Sequence, residues 1–271
     1  MKEEFKTFWK YRFLLSNLIG RDIKVKYRRS KLGILWSVLN PLLMMVVMAA
    51  VFSRFFKSDI PNYPVYLLCG QLLFTFFNES TTSAMGSVLF SSALIKKVYV
   101  PKYIFPLQKS CFSFVNLVFS LVALILIMVI TKAPIYGSTI FAVVPIFFLF
   151  FFCLGVGLFL SSAAIYFRDV MHFWRVILQA LMYATPIFYP ETIWNGTILQ
   201  YIGKMNPMYW YITTFRGCVA DGVYPSIGAV AICRAFAVVS LLIGGTVFKK
   251  TQDDFILYIE GGASLWNLWS V

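Results

Sequence analysis

Between residues 34 and 248 the chain is a succession of long apolar runs separated by short polar breaks. Six runs, at 34–52, 63–83, 112–130, 140–164, 176–189 and 227–248, reach or approach the roughly 20 residues a helix needs to cross a bilayer. The fifth is the shortest unless it begins near His172, and the fourth is long enough to tilt. No run alternates apolar and polar positions as a membrane barrel would. Backbone polar groups cannot stay unpaired in lipid, so the runs are expected to be helices. The pattern predicts an all-α, polytopic membrane protein with six spans, residues 34–248 forming the core of a single transmembrane domain.

The segments flanking the runs carry their own pattern. Residues 5–20 read as an amphipathic helix, with Phe8, Tyr11, Leu15, Leu18 and Ile19 on one face and Lys6, Lys10, Asn17 and Arg21 on the other. Segment 5–33 is therefore expected to lie along the membrane interface, cations toward anionic head groups. Segment 190–226 carries Trp194, Tyr201, Tyr209, Trp210 and Tyr211 with few charges. Amphipathic aromatics favour the interface, so short helices dipping into the outer membrane surface are expected there.

Composition narrows the class. Only 13% of the 271 residues are charged and 60% are hydrophobic, whereas a soluble domain needs about a quarter charged. The excess of 24 Lys and Arg over 11 Asp and Glu has the sign of a nucleic-acid binder, but in a bilayer protein it marks the cytoplasmic edges. Eighteen of the cations fall before span one, between spans two and three, between spans four and five, or after span six, and five fall on the other side. Both termini are thus expected in the cytoplasm, with 249–271 as a tail. The first 33 residues lack the short apolar core of a cleavable signal, so the first run is expected to remain as a span. Five cysteines without a CxxC pair, mostly inside apolar runs, imply neither a disulfide framework nor a metal site.

Chemistry-bearing motifs are few. A phosphate loop is missing, the Gly203-Lys204 pair having no upstream glycine, so this chain has no such route to ATP hydrolysis. One histidine, His172, excludes a multi-histidine metal centre, and neither a nucleophile elbow nor a dinucleotide fingerprint occurs. Ionisable groups at bilayer depth are limited to Glu79, in the polar run 78–83, and Arg234; two such groups do not form an ion relay.

The segments RDIKVKYRRSKLGILWSVLNPL at 21–42, LIKKVYVPKYIFPL at 94–107, YFRDV at 166–170 and NPM at 206–208 together resemble the ABC-2 type permeases that export bacterial cell-surface polysaccharides, a family that includes O-antigen, capsule and teichoic acid exporters. The resemblance implies a homodimer of permeases in the bacterial inner membrane, flanked by two copies of a separate ATP-binding subunit. ATP and Mg would bind that partner, leaving this chain without a cofactor, and a lipid-linked polysaccharide would pass between the two permeases. It also implies that 94–103 docks on the ATPase through Leu94, Lys96, Lys97, Pro101, Lys102 and Tyr103, with Arg168 and Asp169 as the second contact. Pro101 and Pro106 limit how far a helix can run there.

Two more groups of residues gain expected roles from the resemblance. Arg28, Arg29 and Lys31 are suited to the lipid-phosphate head at the entry. Trp36, Phe74, Phe77, Glu79, Tyr183, Phe188 and Tyr189 are candidates for the pore wall, because aromatic faces stack on sugar rings and conduction needs repeated weak binding. Gly155, Gly157, Gly244 and Gly245 are expected to serve helix packing. The alternatives within transport are a teichoic acid exporter and an ABC-2 exporter of a small lipophilic compound. A polyprenyl-sugar enzyme would need a carboxylate cluster that the sequence does not offer, and a channel working alone would need no ATPase.

Overall fold

The computed structural model describes residues 2–28, 30–56, 60–97, 100–194 and 196–255, and among them every regular element is helical. In chain order the helices are α1 (Lys2–Tyr27), α2 (Leu35–Phe56), α3 (Tyr63–Phe90), α4 (Ser92–Ile95), α5 (Ile104–Ile130), α6 (Val143–Tyr166), α7 (Val170–Ala184), α8 (Leu199–Met205), α9 (Pro207–Val219) and α10 (Ile227–Thr251). Short 3-10 helices at Gly137–Ala142 and Glu191–Trp194 precede α6 and α8.

Four helical stretches are long and apolar enough to cross a membrane: Leu35–Phe52, Ile104–Ile130, Gly137–Tyr166 and Ile227–Thr251. The other two expected spans differ for physical reasons. α3, at 28 residues, is about 42 Å long, but polar side chains along its middle lower its hydropathy. α7 has 15 residues, about 22 Å. It begins six residues before the predicted run and stops at Ala184, because Pro186 forces Thr185 into the extended region (φ −110°, ψ 136°).

α3 is the central helix and packs on α5, α6, α2 and α9. Its start is fixed by Asn62, whose side chain accepts from the Val65 amide at 3.4 Å, with Pro64 in the first turn. Buried side chains of α3, α5, α6 and α9 form the main apolar core. Segment 190–226, expected as short helices at the outer membrane surface, contains α8 and α9, and α9 buries Met208, Tyr209, Tyr211, Ile212, Phe215, Cys218 and Val219 as part of the bundle. Its N-terminus is set by Asn206 as the cap and Pro207 in the first turn, the Asn206 side chain accepting from the Met208 amide at 3.0 Å.

The closest helix contact is α6 on α10. A Cβ on Gly155 would lie 2.4 Å from the Ser240 carbonyl carbon, and one on Gly244 would lie 2.0 Å from the Gly155 carbonyl oxygen. These two glycines let the backbones touch. Gly157 instead faces Ala84 of α3, and Gly245 meets nothing.

A second apolar cluster closes one end of the bundle, joining Leu18 of α1, Ile95, Val100, Ile104 and Phe105, Ile165 at the end of α6, and Phe248 and Phe255. Tyr11, Leu14 and Leu15 pack against it, so the apolar face expected in the acyl boundary is turned onto protein. Trp9 and Phe13 are exposed on α1, with the Arg12 guanidinium 4.4 and 5.0 Å from their centroids. The predicted tail continues α10 to Thr251; residues 261–271, like Arg29, lie outside the described residues.

Candidate functional site

A cleft of about 260 Å³ lies among α1, α2, α3, α5 and the stretch after α7. Its α2 wall owes its chemistry to Pro41, which has no N–H to give the carbonyl four residues earlier. That carbonyl, of Ser37, accepts instead from the Ser120 hydroxyl of α5 at 3.0 Å. Nearby, the Tyr27 hydroxyl donates to Asn116 Oδ1 at 3.3 Å and hydrogen-bonds Ser37 Oγ. Trp36 Nε1 donates to Ser30 Oγ at 3.0 Å, and its ring stands over the cleft.

The α3 wall turns most of its polar side chains away from the protein interior. Between residues 67 and 88 every position that is not buried is polar: Gln71, Thr75, Asn78, Glu79, Thr82 and Ser83. The buried polar residues of the same stretch are satisfied within the protein. Ser80 donates to Ser110 at 3.1 Å, Thr81 donates to the Phe77 carbonyl at 2.8 Å, and Trp174 Nε1 donates to Thr81 at 3.1 Å. Gln71, Thr75 and Glu79 line the cleft, and Glu79 pairs with Lys26 of α1 at 3.6 Å. Gln71 Oε1, Ser113 Oγ and Asn116 Nδ2, all on cleft-lining residues, are buried without hydrogen-bond partners.

The far wall is the unwound stretch 185–190, whose carbonyls are taken by side chains. Tyr63 donates to Phe188 O at 2.8 Å and Tyr66 to Tyr189 O at 2.8 Å. Arg216 of α9, buried, donates to the carbonyls of Tyr66, Pro186 and Ile187 at 3.3, 3.0 and 3.5 Å and stacks 3.4 Å from the Tyr66 ring centroid. Room for its guanidinium requires Gly70, where a Cβ would come within 2.7 Å. Beyond this stretch Tyr189, Trp194, Tyr209 and Trp210 form an aromatic chain, and Tyr209 donates to Glu191 at 2.6 Å. Burial and that carboxylate push the Tyr209 phenol well up.

Of the seven candidate wall residues, Trp36, Phe74, Glu79 and Phe188 line the cleft. Phe77 turns into the core, stacked at 5.7 Å on Phe152 and edge-on to Trp174. Tyr183 is exposed on α7, and Tyr189 sits at the rim, its hydroxyl donating to Tyr183 O at 2.6 Å. Arg28 and Lys31 are exposed in the turn between α1 and α2 and do not line the cleft; Gly33, at φ +52°, completes that turn.

At the end of the bundle that carries α1, Lys96, Lys97, Arg168 and Asp169 are exposed, Leu94 is half-buried and Pro101 and Tyr103 border a cavity shared with α10. Lys102 is turned inward. Its ammonium donates to Gln252 O and lies 5.7 Å from the Phe255 ring centroid, and burial lowers its pKa despite Asp253 and Asp254.

The ABC-2 type transporter model matches residues 14–219. The chain belongs to this family. The O-antigen export system permease protein RfbA of Myxococcus xanthus is 29% identical, the alignment covering 92% of this chain and 96% of RfbA. The capsule polysaccharide export inner-membrane protein CtrC of Neisseria meningitidis is 25% identical over 92% and 97%, and the polysialic acid transport protein KpsM of Escherichia coli 19% over 88% and 93%.

In this ABC-2 chain three residues of the site went unmarked by sequence reasoning. Asp22 is an acid inside a strongly basic segment, and that isolation was its signal. Gln108 at 2.7 Å and Lys109 hold its carboxylate against α5. Burial alone would raise its pKa, but the hydrogen bonds from Lys109 and Gln108 hold it below the usual carboxylate value. Arg216, counted only as an outside cation, stands within the uncharged run WYITTFRGCV. Lys26 is one of the eighteen cations that the sequence assigns to the cytoplasmic side.

Proposed function

We propose that this chain is the permease subunit of an ATP-driven exporter that moves a lipid-linked polysaccharide across the bacterial inner membrane. The observation that carries the reading is α3, with buried apolar positions and a polar unburied face at bilayer depth, beside a cleft holding Trp36, Phe74 and Phe188. Polar side chains at that depth face water or a polar cargo, and rings beside hydroxyl-bonding groups suit sugars. The relatives, named for O-antigen, capsule polysaccharide and polysialic acid, agree with such a cargo.

In this reading α3, and α7 with 185–190, join the four apolar helices as six crossings, and both termini are cytoplasmic. Two copies face each other across the cleft side, and two ATP-binding subunits holding ATP and Mg dock on Lys96, Lys97, Arg168 and Asp169. Lys102 ties the docking segment to α10, so closure of the ATPases reaches the α6–α10 pair.

The deciding experiment reconstitutes the permease with its ATPase in proteoliposomes. A two-plus-two complex is expected, with ATPase stimulated by lipid-linked polysaccharide. Stimulation by a drug-like amphiphile instead would establish the small-compound alternative, and a permease that conducts without an ATPase would end the exporter reading.

A further inference from the structure

One cation and one carboxylate line the cleft among the described residues, Lys26 and Glu79. They meet at its mouth, 3.6 Å apart, with side-chain exposures of 38% and 42%. The Lys26 ammonium is also flanked by the rings of Phe112 and Tyr27, at 5.5 and 5.8 Å from their centroids. An exposed pair of this kind contributes little to stability, so it is a weak lock and an easily exchanged one. A phosphate carries more charge than a carboxylate and accepts more hydrogen bonds, which suits it to compete with Glu79 for the same ammonium. The same cleft that holds Lys26 is lined on its α2 side by Pro41, Met44 and Met48. That wall accepts an apolar chain, and methionines adapt to irregular ones.

Resting on the proposed class of cargo, we infer that Lys26 is the phosphate-binding cation of this cleft. Glu79 is its resident counter-ion, displaced when the phosphate of an amphiphile enters between α1 and α3. The shared chemistry is a phosphate on an apolar chain, whether the pyrophosphate of a lipid-linked cargo or the head group of an ordinary phospholipid. The exposed Arg28 and Lys31 attract anions to the surface without reading them.

The test measures binding of farnesyl pyrophosphate to the full-length permease in phosphatidylcholine nanodiscs. Lys26→Ala is expected to weaken binding about tenfold, the loss of one charge-assisted hydrogen bond. Lys31→Ala should change it less than twofold. Glu79→Gln should tighten it several-fold, a gain that misfolding cannot produce. An unchanged Kd in Lys26→Ala, or a Glu79→Gln variant that binds as poorly as Lys26→Ala, would overturn the inference, the second because the pair would then hold the cleft together.

Nanodiscs containing phosphatidylglycerol separate the two sources. A wild-type Kd that rises there, with no rise in Lys26→Ala, assigns the site to membrane phospholipid; an unchanged Kd assigns it to the pyrophosphate. Should lipid-linked polysaccharide fail to stimulate the ATPase while Lys26-dependent binding persists, the cargo assignment falls and this site stands. The opposite pair of results removes the site and leaves the cargo.

Discussion

α2 and α10 are both apolar and both largely exposed, yet they are held in opposite ways. α10 touches α6 backbone to backbone at Gly155 and Gly244. α2 meets α3 and α5 through side chains, with Met45 its one buried apolar side chain among the described residues; it borders a cavity and is tied to its neighbours by hydrogen bonds, from Ser120 to the Ser37 carbonyl and between Tyr27 and Ser37. Backbone contact cannot be loosened gradually, because dispersion is lost as soon as a gap opens. A hydrogen-bonded wall separates at about 1 kcal/mol per bond. The difference separates a rigid pair from a looser wall: α6 and α10, which end beside the exposed Arg168-Asp169 and the Lys102 contact, form a frame, and α2, bordering the cleft, is held more weakly.

The comparison breaks first at the glycines. Gly155→Leu or Gly244→Leu forces a side chain into backbone, and a loss of about 3 kcal/mol or more is expected, read as a collapse of the thermal unfolding midpoint in detergent. Gly245→Leu, with open space at its Cβ, should stay within about 0.5 kcal/mol of wild type. Next is Arg216→Gln, which abandons buried carbonyls of Tyr66, Pro186 and Ile187 and should cost about 2–3 kcal/mol. Its mark is local, faster amide exchange at 185–190 with α6 and α10 unchanged. Arg216→Lys should recover only part of the loss, lacking the fork that reaches several carbonyls at once.

A smaller effect concerns the attachment of α1. Because the Asp22 carboxyl is held below its ordinary value of 3.8, its contribution is complete above that pH and is lost as the pH falls through the lower folded value. Asp22→Asn should cost about 1–2 kcal/mol at neutral pH and flatten the acid limb of a pH–stability profile. An acid limb identical to wild type would show that Lys109 and Gln108 do not hold α1 through this carboxylate.

Much of this frame can be read from residue order, and the limits are instructive. Helix starts marked by Asn62, Asn206 and Ser226 lie where a side-chain oxygen meets the second or third amide, and Pro186 marks the end of α7. Faces are harder to read. Phe74 and Phe77 are identical in hydropathy and three residues apart, yet one lines the cleft and the other packs on Phe152, because α3 is surrounded by protein on most sides. The polar run 78–83 reads as one block, whereas helical spacing divides it, Asn78, Glu79, Thr82 and Ser83 turning out and Ser80 and Thr81 turning in. Extending that spacing back to Gln71 and Thr75 exposes the stripe in the sequence itself. Arg216 depends on carbonyls contributed by α3 and by the break after α7, elements about 30 to 150 residues away, and no local pattern announces such partners.

The finest probe of α2 is a double substitution. Ser120→Ala alone should cost about 1 kcal/mol, since the Ser37 carbonyl, left without a helical donor by Pro41, loses the hydroxyl that replaces it. In a Pro41→Ala background the amide of residue 41 donates to that carbonyl, and Ser120→Ala should become nearly neutral. The expected coupling is therefore about 1 kcal/mol. Additive effects would mean that Ser120 stabilises α5 through its own Asn116 carbonyl contact and does not tie α2. Export adds a sharper reading, because the Pro41→Ala variant replaces an interhelix tie with one inside α2. If α2 is the moving wall, that variant should lower export while leaving the unfolding midpoint of the α6–α10 frame in place.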